Sequence, residues 1–66
     1  MYKTINDIKK DVINGYDVYH KNNNYKVIRD ILGQWLIICE SNQYAIGLTW
    51  RDGKTLNGKL NEFYRG

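Results

Sequence analysis

The sequence predicts an α+β domain, a short N-terminal helix followed by a curled, four- to five-stranded antiparallel meander. Three observations carry that expectation. Apolar residues near the N-terminus recur at helical spacing and then give way to short β-branched and aromatic runs. Asn, Asp and Gly clusters separate those runs by only a few residues, too few for the crossover that parallel strands need. The chain has 66 residues and no proline, so one small domain over 1–66 carries an uninterrupted ladder.

The helix is placed at about residues 4–14. Ile5, Ile8, Val12 and Ile13 fall on one face, while Asn6, Asp7, Lys9, Lys10, Asp11 and Asn14 cover the other. Thr4 followed by Asp7 is a capping box with Asp where Glu or Gln is usual, and Asn14-Gly15 supplies a left-handed stop. About ten residues of helix are marginal alone, so the apolar stripe must lie on the sheet.

The meander is placed at about 16–64. Residues 16–21 alternate Tyr16, Val18 and His20 against Asp17, Tyr19 and Lys21, and Asn22-Asn23-Asn24 makes the first turn, Asn tolerating positive φ better than most residues. A second strand runs over 25–32 and turns at Gly33-Gln34. Residues 35–40 form a nearly continuous apolar run, the pattern of a central strand covered on both sides. After a turn at Ser41-Asn42-Gln43, residues 44–50 set Tyr44, Ile46, Leu48 and Trp50 on one face, with Gly47 marking a bend or a close backbone approach. Asp52-Gly53 and Asn57-Gly58 are turn dipeptides that leave room for only a very short strand between them, and Glu62-Phe63-Tyr64 is placed as a fifth.

Five strands of this length fit an SH3-like barrel, with an open sheet covered on one face by the helix as the alternative. An OB-fold fits less well, because it carries a helix between its third and fourth strands and this connection is too short.

Composition bounds the function classes. A chain of this size buries only about 60% of the surface its unfolded form exposes, so there is one small core. A single Cys and a single His exclude an internal disulfide and a structural zinc set, and no cofactor or metal is expected. No apolar run approaches the roughly 18 residues of a membrane span, and Met1-Tyr2-Lys3-Thr4 opens no secretory leader. A cytoplasmic protein with no membrane partner is the expectation. Ten basic residues against seven acidic ones give a net charge of +3, which permits nucleic acid without demanding it.

Catalysis needs an activated nucleophile or a matched acid and base, and only Cys39 and His20 invite the question. Cys39 lies in phase with Trp35 and Ile37, where a thiol packs as a small core hydrophobe. His20 reads as a half-exposed strand-end residue. The carboxylates Asp17, Asp30, Glu40, Asp52 and Glu62 are scattered, several beside turns where they cap backbone donors. Gly53 and Gly58 enclose no phosphate-loop signature. The expectation is a protein without enzymatic activity.

The excess is aromatic. So small a core leaves some of Tyr16, Tyr19, Tyr25, Tyr44, Trp50 and Tyr64 at the surface. Tyr19, Tyr25 and Trp50 have Lys21, Lys26, Arg51 and Lys54 beside them in sequence, and these seven form the candidate binding surface. Rings beside cations suit single-stranded nucleic acid, and Tyr, Trp and Arg equally anchor protein interfaces. An unprotected edge strand offers a third route, pairing with a second copy to make a homodimer.

The segments Tyr25-Lys26-Val27-Ile28-Arg29-Asp30 and Tyr44-Ala45-Ile46-Gly47-Leu48-Thr49, with the closing Glu62-Phe63-Tyr64, resemble small proteins carried by phages and prophages of low-GC Gram-positive bacteria. The resemblance implies an accessory factor that binds a host protein or nucleic acid, and it assigns no functional residue. Many phage inhibitors imitate DNA with strongly acidic surfaces, and a chain at +3 departs from that pattern. The reading is a small binding module for a host protein or for itself, with single-stranded nucleic-acid binding as the alternative.

Overall fold

The computed structural model describes residues 2–66. Helix α1 (Ile5–Ile13) carries the expected capping box, the Thr4 hydroxyl accepting from the Asp7 amide at 3.2 Å and the Asp7 carboxylate from the Thr4 amide at 3.2 Å. At the other end Gly15 takes φ +91°, a conformation that favours glycine, and the chain leaves the helix there. Ile8 is fully buried and Ile5 and Val12 pack beside it, whereas Ile13 is 64% exposed. The apolar stripe is therefore narrower than expected and stops short of Ile13.

The strands are β1 (Val18–His20), β2 (Asn22–Arg29), β3 (Trp35–Cys39), β4 (Ala45–Gly47) and β5 (Phe63–Arg65), with a 3-10 turn at Leu60–Glu62 leading into the last. They form one antiparallel sheet in the order β4-β3-β2-β1-β5. The meander from β1 to β4 is as expected. The closing segment returns to lie beside β1, with Tyr64 opposite Tyr19 and Phe63 opposite His20. No ladder joins β4 to β5 among the described residues, so of the two architectures considered the sheet is the open one.

Strand alternation sorts the side chains. The inner face carries Val18, His20, Val27, Ile37, Cys39 and Phe63, all buried. There Val18, Val27, Ile37 and Phe63 close on Ile8 of α1 and on Leu48 to make the core. The outer face carries Tyr19, Lys26, Ile28, Leu36, Ile38 and Tyr64. Leu36 and Ile38 are only half-buried, so β3 is covered on one side, not on both as its apolar run suggested.

Several strand boundaries depart from expectation. Residues 16 and 17 precede β1, which starts at Val18. The first reversal falls on Lys21, at φ 69°, because its amide is held by the Glu62 carbonyl at 2.8 Å. The asparagines instead open β2, where the Asn22 side chain accepts from the Asn24 amide at 2.9 Å. Strand β2 stops at Arg29 rather than 32, since the Asp30 carboxylate takes the amides of Leu32 and Gln34 at 2.9 and 2.8 Å and folds 30–34 into a tight turn. Ile31 and Leu32 are left in solvent.

Strand β4 likewise stops at Gly47 rather than 50. A Cβ at Gly47 would lie 2.9 Å from the Thr49 carbonyl, the close approach that this glycine signalled. The bend sends Leu48 into the core and Trp50 into solvent. Beyond it the chain pairs briefly with itself through Thr49 and Leu56, the very short strand that the two turn dipeptides allowed.

Candidate functional site

The seven candidate residues divide among three places. Tyr19 and Lys26 face each other across β1 and β2 on the outer face. There the Lys26 ammonium lies 3.0 Å from the Asp17 carboxylate, whose hydrogen bond is the main reason the lysine pKa rises. The Tyr19 ring leans on Tyr64, centroids 5.6 Å apart. Tyr25 is next to Lys26 in sequence and therefore points to the inner face, where it joins Lys21 at the rim of a pocket.

Trp50 and Arg51 lie in the loop beyond β4, lining an open groove of about 540 Å³ with Thr49, Asp52 and Asn57; Lys54 stands outside that lining. Asp52 organises the loop. Its carboxylate is held below the usual range by the Thr55 amide, then by the Thr55 hydroxyl and the Lys54 amide.

The inner-face pocket has a volume of about 220 Å³ and is lined by His20, Lys21, Tyr25, Ile37, Cys39, Tyr44 and Ile46. No α1 residue lines it. The two residues that invited the catalytic question both line it, and each has a hydrogen-bond partner of its own. His20, expected half-exposed, is only 8% exposed, with its Nε2 3.2 Å from Glu62 Oε1. The Cys39 thiol, buried as expected, accepts from the Asn24 side-chain amide at 3.4 Å.

One side of this pocket is the sheet edge. The Cys39 amide donates to the Tyr44 carbonyl at 2.7 Å and the Leu48 amide to the Trp35 carbonyl at 3.0 Å. Antiparallel alternation therefore turns the backbone groups of Ala45 and Gly47 outward. The Gly47 carbonyl is covered by the Asn57 side-chain amide at 3.2 Å. The Ala45 groups and the Gly47 amide face an unpaired edge, flanked by the exposed side chains of Tyr44 and Ile46.

A second cluster of ring and cations went unseen in the sequence. Trp35, at the start of β3, has the Lys9 ammonium 5.5 Å and the Arg29 guanidinium 5.8 Å from its ring. Arg29 is its partner across β2 and β3, and Lys9 reaches it from α1. Only the strand register and the docking of the helix bring these three together, so sequence neighbourhood carries no trace of them.

Among the described residues no helix is long and apolar enough to cross a membrane. What the fold defines is a small α+β domain on an open antiparallel sheet, with an apolar pocket beside one edge and a basic, aromatic cluster where helix and sheet meet. Comparison with known protein families, with curated proteins and with solved structures returns no match in any of the three.

Proposed function

We propose that the chain is a small, non-enzymatic binding module that takes up an extended protein strand along β4, from a second copy of itself or from a host protein. The observation that carries this reading is the unpaired β4 edge beside an apolar pocket framed by Tyr25, Tyr44 and Ile46. Backbone groups at such an edge supply affinity, and a pocket next to it selects a side chain. Domains this small have little core, and added strands enlarge it. The return of β5 to β1 after a 3-10 turn supports an SH3-like strand order in a sheet that stays open, and the setting is that of a phage accessory factor in a bacterial cytoplasm.

The nucleic-acid alternative has less support. Tyr19 with Lys26 and Tyr25 with Lys21 lie on opposite faces, and the Lys26 charge is already matched by Asp17.

Ala45→Pro tests the edge, because proline there removes an outward N–H and leaves the bonds to β3 in place. Sedimentation velocity over a concentration series reads self-association, and affinity capture from a bacterial lysate reads a host partner. Self-association, or a captured protein, lost in Ala45→Pro and in Ile46→Lys supports the reading. Wild type and both variants behaving alike in the two measurements overturns it.

A further inference from the structure

A second surface, independent of the β4 edge, has its own chemistry. Where the C-terminal half of α1 meets the β2–β3 hairpin, Asn6, Lys9, Lys10, Ile13, Arg29 and Trp35 line an open groove of about 500 Å³. No carboxylate lines it. Lys9, Lys10 and Arg29 are in no ion pair among the described residues. The acidic side chains nearest in sequence are spoken for: Asp7 by the helix cap, Asp11 by the Tyr2 hydroxyl at 2.8 Å, and Asp30 by its own turn. Three cations thus line one groove, none of them in an ion pair among the described residues.

The groove is also apolar. Its lining includes Trp35 and Ile13, the latter 64% exposed. Just past Arg29 the hairpin tip holds out Ile31 and Leu32, the latter 77% exposed. Asp30 builds the turn that puts them there, so their exposure is fixed by the fold. Ile31 and Leu32 do not line the groove but follow Arg29 closely in the chain, and exposed apolar side chains with unpaired cations are the complement of an acidic segment that carries apolar residues of its own.

We propose that this groove docks an acidic protein segment bearing aliphatic or aromatic side chains, its carboxylates on Lys9, Lys10 and Arg29 and its apolar residues against Ile13, Trp35 and the Ile31-Leu32 tip. Single-stranded nucleic acid would use the cations and the Trp35 ring, but it has no use for three aliphatic side chains. An anionic bilayer meets protruding tips and leaves a groove between helix and hairpin unfilled.

The probe is a fluorescein-labelled synthetic peptide of repeated Asp-Asp-Leu-Phe, titrated with the full chain and followed by anisotropy. Wild type binds it, and raising the salt from low to well above physiological weakens binding several-fold, because exposed charge pairs are screened. Lys9→Glu with Arg29→Glu weakens it about tenfold or more. Lys10→Glu, at an exposed position that touches no ring, weakens it in the same direction and stands in if the double variant loses its helix signal. Ile31→Ser with Leu32→Ser weakens it as well, and a peptide with Ser in place of Leu and Phe fails to bind. Ala45→Pro leaves the titration unchanged, so failure here and failure of the β4 edge are told apart. Binding of a mixed oligonucleotide or of phosphatidylserine vesicles in place of the peptide overturns the proposal, as does a peptide affinity indifferent to the charge reversals.

Discussion

The ring of His20 lies against that of Phe63, centroids 4.3 Å apart with 16° between the planes. The pair joins β1 to β5 on the inner face, where the two residues are directly opposite. Glu62 completes the arrangement from the 3-10 turn, its Oε1 meeting the imidazole Nε2 at 3.2 Å. The sole histidine of the chain therefore holds the closing strand onto the sheet.

His20→Ala removes a ring from a position only 8% exposed, leaves Phe63 without its stacking partner and opens space beside the core. A loss of about 2 kcal/mol is expected from cavity and stacking contributions together. Urea unfolding followed by circular dichroism gives the value, and a loss below about 0.5 kcal/mol, the level of an ordinary surface change, contradicts the structural role.

Glu62 gives the fold an acid limit. Its carboxylate is held below the usual range first by the Lys59 amide at 2.9 Å, then by His20, with the Lys21 charge adding to both. A carboxylate with a depressed folded-state pKa contributes stability that is present above its unfolded value, about 4.3, and is lost as pH falls through the folded value below it. Urea midpoints should hold from neutral pH to about 5 and fall below that. In Glu62→Gln the midpoint at neutral pH is lower and the acid decline shallower, Asp52 supplying part of what decline is left. An unchanged acid slope in that variant contradicts the assignment.

Gly58 stands against the same histidine. A Cβ there would lie 2.7 Å from His20 Nε2 and 3.1 Å from Glu62 Oε1, on a backbone at φ +141° that L side chains rarely adopt. Gly58→Ala is expected to cost about 2 to 4 kcal/mol, strain and clash combined. Gly53→Ala has open space around the new methyl and meets only the left-handed penalty at φ +69°, about 1 kcal/mol. Equal losses for the two would show that His20 does not press on residue 58.

What the sequence disclosed follows the range of the forces involved. The Thr4–Asp7 cap, the Gly15 exit and the Asp52-Gly53 and Asn57-Gly58 turns are each decided within a few residues, and each was legible. The burial of His20 was not, because Glu62, which engages it, lies 42 positions away. Trp35 between Lys9 and Arg29 was hidden for the same reason. The candidate surface failed to assemble for a different one: it was built from sequence neighbours, and neighbours on a strand point to opposite faces, as Tyr25 and Lys26 do. Strand ends at Arg29 and Gly47 were missed where a local hydrogen-bonded turn at Asp30 and a backbone contact at Gly47 overrode an apolar alternation that continued past them.

The bend at Gly47 makes a last contrast measurable. Alternation placed Leu48 and Trp50 on one face as equals, but the bend gives them opposite fates, Leu48 fully buried against Ile8, Val18 and Phe63 and Trp50 65% exposed. Leu48→Ala is therefore expected to lose about 3 kcal/mol, a transfer loss plus an unfilled cavity. A core of this size supplies only about 3 to 5 kcal/mol in all, so that variant should be largely unfolded under mild heating. Trp50→Ala, despite deleting the larger side chain, should cost less than about 1 kcal/mol and keep a native amide spectrum. Paired thermal melts decide it: if Trp50→Ala melts as early as Leu48→Ala, the chain does not bend at Gly47, and β4 runs on to residue 50 as simple alternation required.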